Sequence, residues 1–219
     1  MPNKTILFTR PNSDLATACL NYFSKNLVDE LRKIGIFTII NIEGRNANKE
    51  EFEKAIRKAN PRLLIINGHG DETAIYGQKE QILGKNNIKL LNHRIIYAVA
   101  CESSEKLGDL AIDEGGAEAY IGYEAKFMIV VDPSRSSTPD KDRNIKVFIK
   151  PYMALVLSLI SGLSVSKAIE NTKSETISLI RKYGVQSIRD KYGDAPLIRF
   201  ALFWDLMFLK GYGNLNAVF

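Results

Sequence analysis

Two stretches decide the fold: RLLIINGHG at Arg62–Gly70 and RIIYAVACES at Arg94–Ser103. Each holds a short apolar run, Leu63–Ile66 and Ile95–Ala100, rich in leucine or β-branched residues and without polar alternation. Runs of this kind suit central strands that helices cover on both faces. The first ends in Asn67-Gly68-His69-Gly70 and the second in Cys101, so each strand carries a reactive side chain to its carboxyl end. Parallel strands share that edge, and open α/β sheets bind their ligands there. A histidine and a cysteine separated by 32 residues, from 69 to 101, are thus expected across one cleft. An imidazole beside a thiol is the minimal device for a thiolate nucleophile.

Outward from these stretches the chain alternates strands and helices. Thr5–Thr9 reads as a first strand, broken at Arg10–Asp14 by turn chemistry that also offers helix caps. Leu20, Phe23, Leu27, Leu31 and Ile34 recur at helical spacing within Leu15–Ile34, and Gly35 stops that helix. Phe37–Ile42 is a second strand, and Glu50–Ala59 a helix that Asn48 caps and Pro61 ends. The order up to His69 is β-α-β-α-β, the signature of a doubly wound sheet with right-handed crossovers. Asp71–Lys89 reads as a small polar hairpin, Leu90–Arg94 as a helical turn, and Ala119–Tyr123 as a fifth strand. Glu102–Glu114 reads as a helix starting directly after Cys101, whose positive amino end would favour a thiolate. Asp132–Asn144, with two prolines and six charged residues, reads as a surface loop, and its Arg135, Lys141 and Arg143 make it a candidate for self-cleavage. Helices are expected at Ile145–Ile160 and Val165–Tyr183, a short helix or turn at Gly184–Gly193, and an apolar core run at Phe200–Leu209 with Asp205 inside it. Gly211–Phe219 is turn-rich. The expectation is one α/β domain over residues 1–219, a three-layer α-β-α sandwich around a mostly parallel central sheet.

Composition narrows the function classes. With 45% hydrophobic and 25% charged residues the 219-residue chain has an ordinary globular balance and enough length for a sizeable core. A net charge of +5, without a basic run or interleaved aromatics, does not point to nucleic acid. Cys19 and Cys101, with His69 and His93, build neither a disulfide framework nor a zinc cluster, so no metal and no cofactor are expected. Cys19 sits on the apolar face of the first helix, and His93 at the amino end of a strand, on the wrong edge of the sheet. The longest uncharged apolar run, Pro151–Leu163, has 13 residues, short of the roughly 20 that span a bilayer. Few cysteines and no signal-peptide pattern point to the cytoplasm, with no membrane partner.

The pattern of apolar strand, His-Gly, second apolar strand and Ala-Cys resembles the caspase-like superfamily of cysteine peptidases, which includes caspases, legumain, gingipains, clostripain, separase and CHAT-domain proteases. The resemblance rests on Leu63–Ile66 with His69-Gly70, Ile95–Val99 with Ala100-Cys101, the legumain-like Cys101-Glu102-Ser103, AYIGYEA at 119–125 and LISGLSVSKAIENT at 159–172. It implies a cysteine endopeptidase that cuts peptide or protein substrates. Cys101 would attack the scissile carbonyl, His69 would protonate the leaving amine, and the N–H groups of Gly70 and Cys101 would form the oxyanion hole. No third orienting residue is readable. For specificity the resemblance points to Glu124, which follows an aromatic residue at the end of strand five, with Asp132 as second choice; both imply cleavage after Arg or Lys. Together with Asp71 and Glu72 they would make a negative patch around the cleft. Arg10, where caspases place an arginine, points the other way, to an acidic substrate residue, unless it pairs with Asp14 or Glu43. Two rivals stay open: a catalytically silent caspase-like interaction module, and a flavodoxin-like ligand-binding domain, although Asn67–Asp71 lacks a phosphate-binding fingerprint. A homo-oligomer, zymogen processing and calcium dependence are left open.

Overall fold

The computed structural model describes residues 4–135 and 138–219. Thr5–Arg10 (β1), Thr38–Glu43 (β2), Leu63–Asn67 (β3), Ile95–Val99 (β7) and Ala119–Tyr123 (β8) run parallel, and Leu209–Gly213 (β9) closes the edge antiparallel to β8. The spatial order is β2-β1-β3-β7-β8-β9. Between β2 and β3 the chain crosses back over β1, so the strand order reverses between β1 and β3. In open α/β sheets such a reversal opens a crevice at the strands' carboxyl ends. A separate three-stranded sheet joins His69–Gly70 (β4), Ala74–Tyr76 (β5) and Gln81–Gly84 (β6).

Alternation along the buried strands sorts their side chains into two layers. Ile6, Phe8, Leu63, Ile65, Ile95, Tyr97, Ala119 and Ile121 face helices Leu15–Ile34 (α1), Ile145–Ile160 (α4), Val165–Lys182 (α5) and Ala195–Phe208 (α7). Leu7, Leu64, Ile66, Ile96, Ala98 and Tyr120 face Lys49–Ala59 (α2), Leu107–Asp113 (α3) and the hairpin residues Ile75, Ile82 and Leu83. Near-continuous apolar strands follow, because both faces are buried. The helices start and stop by local chemistry. Asp14 caps α1 in a reciprocal box with Thr17, and Gly35 ends it with φ +74°. Asn48 caps α2 through Glu51 N–H, and Ser164 caps α5 through Lys167 N–H.

Three elements depart from the sequence reading. The helix expected at Glu102–Glu114 is only α3, Leu107–Asp113, and residues 101–106 are turns. Their N–H groups are claimed from outside: Glu102 donates to Ala125, Ser104 to Tyr123, and Lys106 and Leu107 to Glu72, all at carbonyl oxygens. Glu102 takes the left-handed conformation, φ +55°, which breaks any helix there. The turn-rich tail holds β9, an edge strand whose pairing partner lies about 90 residues earlier in the sequence. The run Phe200–Leu209 is not wholly core: α7 buries Ile198, Ala201 and Leu202, while Leu197, Phe200, Phe203 and Met207 are each more than half exposed. Gly184–Gly193 contains the short helix Gln186–Lys191 (α6). In the expected loop Asp132–Asn144, two single 3-10 turns, Pro133–Arg135 and Pro139–Lys141, flank Ser136 and Ser137, which lie outside the described residues. Among the described residues no helix is long and apolar enough to cross a membrane.

Candidate active site

The register of β3 on β7 pairs Leu63 with Ile95 through to Asn67 with Val99. His69 and Cys101 each lie two residues beyond the last pair, so both emerge at the carboxyl edge. Gly68 N–H extends the contact by donating to Val99 C=O at 3.4 Å. At Gly70 the backbones meet. A Cβ there would stand 2.4 Å from the Cys101 carbonyl oxygen and 3.2 Å from its nitrogen, so only glycine permits the approach.

His69 is exposed, and its Nε2 lies 2.5 Å from Asp14 Oδ2 across the crevice where the strand order reverses. Asp14 already accepts the Thr17 N–H at 2.9 Å as the cap of α1. Burial would raise its pKa, but the hydrogen bonds from Thr17 and His69 outweigh that and hold the carboxyl below its ordinary value. Sequence reasoning missed Asp14 as a site residue because its capping role accounted for it. The available signal was its place after β1, on one side of a strand-order reversal with His69 on the other. Beneath the pair, Asn67 Nδ2 donates to Thr9 C=O and Ser24 Oγ, both at 2.7 Å, and Ser24 meets Tyr152 OH at 2.5 Å. This buried network ties β1, β3, α1 and α4 together under the crevice.

Cys101 is half-buried at the start of its turn. Burial pushes its thiol up, against a hydrogen bond from the Phe127 N–H that favours the thiolate; Glu102 and Asp205 add to the rise and Lys126 opposes it. The helix terminus expected to help begins six residues away. Cys19 is fully buried and pushed up to about 12, so the two thiols differ sharply in accessibility. Asp71 N–H donates to Ala74 C=O at 3.0 Å. Since antiparallel pairs alternate, Gly70 opposite Ile75 is a non-hydrogen-bonded position and its N–H turns away from β5. The Cys101 N–H has no acceptor among the described residues. Two N–H donors therefore border the cysteine.

No protein-family model matches the chain, and no curated protein matches it in sequence. Solved structures do match. Gingipain R (RgpB), an Arg-specific cysteine proteinase, overlays with TM-score 0.64 at 14% identity over 99% of this chain and 48% of its own. The complex of the pro- and mature domains of Porphyromonas gingivalis RgpB gives 0.63 at 14% identity over 98% of this chain and 48% of that one. Caspase-1 from Spodoptera frugiperda gives 0.45 at 13% identity, over 78% of this chain and 75% of its own. The chain therefore shares its fold with gingipain R. This chain spans about half the length of the gingipain chains it matches.

On this frame each of the expected specificity residues is engaged by neighbours within the chain. Arg10 is buried at the end of β1; its guanidinium meets Glu43 through both carboxylate oxygens, Asn41 at 3.3 Å and Asn21 at 2.9 Å. Its ligands come from inside the chain, so it offers no free charge to an acidic substrate residue. Glu124 receives the Tyr212 hydroxyl at 3.0 Å and lies 3.6 Å from Lys210 Nζ, both on β9. Asp132 folds back to accept Ser134 N–H and Oγ, and Asp71 accepts from Thr73, Ala74 and Tyr76. Glu72 pairs with Lys106. The anticipated patch of four acids is therefore four separately engaged carboxylates. A different acidic feature borders His69: an open groove of about 660 Å³ along α1, carrying Asp14, Asp29 and Asp140 against Lys25. Among the described residues no cluster of three or more His, Cys, Asp and Glu side chains could hold a metal ion.

Proposed function

We propose that this chain is a cysteine endopeptidase acting through Cys101 and His69, with Asp14 orienting the imidazole. The reading is carried by the 2.5 Å Asp14–His69 pair, which stands on the same carboxyl edge of the sheet as the Cys101 turn. Cys101 passes its proton through solvent to His69, and its sulfur bonds to the scissile carbonyl carbon as the carbonyl π pair moves to oxygen. The oxyanion so formed takes up the N–H groups of Gly70 and Cys101. Collapse expels the amine, which leaves with a proton from His69, and water then releases the acid from the thioester. Among the described residues no hydrogen bond joins His69 to Cys101, and in this reading the two act on the substrate bond from separate strand ends. A preference for Arg or Lys before the cut is supported by Asp140, which lines the groove that starts at Asp14.

The raised Cys101 thiol favours a second reading, a silent interaction module that keeps the fold without the chemistry. Peptides with Arg, Lys, Asp or Asn before the cut separate the readings. Hydrolysis is expected with Arg and Lys, and it should vanish in Cys101→Ala and His69→Ala while circular dichroism stays unchanged. No hydrolysis of any peptide by the wild type, or full activity in either variant, overturns the dyad. Asp140→Asn should weaken Arg substrates about tenfold as a charge partner is lost. If Glu124→Gln does so instead, the specificity acid lies at the β8–β9 edge.

A further inference from the structure

Asp205 is a carboxyl group inside an apolar helix, and the mechanism above does not use it. It is buried on α7 between Leu202 and Leu209, near Tyr97, Tyr123 and Tyr152. Its Oδ1 accepts the Met128 N–H at 2.9 Å. The preceding residue, Trp204, donates its indole N–H to the Lys126 carbonyl at 2.9 Å. Two adjacent side chains of one helix thus grip the backbone on either side of Phe127. Across the trans peptide from the Lys126 carbonyl the Phe127 N–H points the opposite way, and a hydrogen bond from it lowers the pKa of the Cys101 thiol; Glu102 N–H ties the cysteine's turn to the same segment by donating to the Ala125 carbonyl at 3.0 Å. The Phe127 ring packs on Tyr123 with centroids 4.7 Å apart, so the clip has a third anchor in β8.

We propose that Trp204 and Asp205 are positioning residues for Cys101: together they clip Lys126 and Met128 so that the Phe127 N–H is held on the sulfur and stabilises the thiolate. A hydrogen bond to a charged acceptor gains more than one to a neutral acceptor, so a fixed N–H favours the thiolate over the thiol. The clip needs an uncharged Asp205, since a carboxylate this close to the sulfur would oppose the thiolate. Burial indeed pushes the Asp205 carboxyl well above its ordinary value. The other charged groups facing Cys101 are Glu102, which opposes the thiolate, and Lys126, which favours it. Facing Asp205 are the buried phenols of Tyr97, Tyr123 and Tyr152 and, from α5, Lys173 at the rim of the same small cavity.

The proposal rests on Cys101 being the reactive thiol, and its test reads thiol chemistry rather than peptide hydrolysis, so the two can fail separately. The rate of iodoacetamide alkylation at Cys101 is measured against pH by peptide mapping, with Cys101→Ala as the blank. Trp204→Phe and Asp205→Ala are expected to move the profile upward in pH and to slow alkylation at pH 7 by about three- to tenfold, as the loss of one held hydrogen bond implies. Asp205→Asn, whose carboxamide still accepts the Met128 N–H, is expected to keep the wild-type profile. Should Asp205→Ala not fold, Trp204→Phe decides, since the indole lies partly in solvent and its loss opens no core cavity. An unshifted profile in either folded variant overturns the proposal. So does a shift in Asp205→Asn as large as that in Asp205→Ala.

Discussion

Asp14 has two hydrogen-bonding tasks, the amino-terminal cap of α1 and the partner of His69, and the two can be separated by substitution. Asparagine caps a helix about as well as aspartate, whereas alanine loses roughly 1 kcal/mol. Asp14→Asn should therefore leave the melting temperature nearly unchanged while lowering kcat/KM by on the order of 10- to 1000-fold, because the imidazole loses its charged partner. Asp14→Ala should lose stability as well. The pH dependence follows from the direction of the shift. The folded-state pKa of Asp14 is depressed, so its contribution is present above the ordinary carboxylate range and disappears as pH falls through the depressed value. Urea titrations should show the gap between wild type and Asp14→Asn closing as the pH falls below the ordinary carboxylate range. With Asp14 half exposed, the gap itself is small. A gap that widens on acidification would contradict the assignment.

At the scale of elements, the site depends on how closely β4 is pressed against the turn that follows β7. The turn at 101–106 exists because carbonyls of Glu72, Tyr123 and Ala125 take its N–H groups, holding it out of the helix that its sequence favours. Gly70 is the contact point, and a methyl group there meets the Cys101 carbonyl at 2.4 Å and Ala100 Cβ at 2.9 Å. Gly70→Ala should cost about 1–3 kcal/mol in chemical denaturation, the range for overpacking a tight site. It should also depress peptide hydrolysis by more than the stability loss explains, since the displaced groups are the N–H donors beside Cys101. Wild-type stability in Gly70→Ala would mean that the strand can shift away freely.

Across the whole molecule, Arg10 joins three elements. It extends β1, reaches Glu43 and Asn41 at the end of β2, and meets Asn21 on α1, which returns a bond to its carbonyl at 2.9 Å. Desolvation lowers the pKa of this guanidinium, and Glu43 opposes that. Arg10→Met should destabilise the fold by about 1–3 kcal/mol, because the amide and carboxylate partners lose a charged donor. It should leave the ranking of Arg, Lys, Asp and Asn substrates as it was. A selective loss of Asp-substrate cleavage in this variant would return Arg10 to the substrate pocket.

The strands, the doubly wound order and the common edge of His69 and Cys101 were legible in the sequence. Apolar runs buried on both faces carry their own signal, and a parallel sheet brings their carboxyl ends together whatever the loops do. Glycine and asparagine signals likewise marked where α1 stops and α2 begins. The tertiary structure alone decided four things: Asp14 as the partner of His69, the turn in place of a helix after Cys101, β9, and the choice of Glu43 over Asp14 as the carboxylate that pairs with Arg10. Each depends on hydrogen bonds or ion pairs between residues far apart in the chain: 55 positions for Asp14 and His69, 33 for Arg10 and Glu43. Local propensity and periodicity report on neighbours within a few residues, so they cannot weigh a capping aspartate against a distant imidazole, or a helix start against three outside carbonyls. The sequence determined which edge of the sheet holds the site, and only the packed chain chose the partners that meet there.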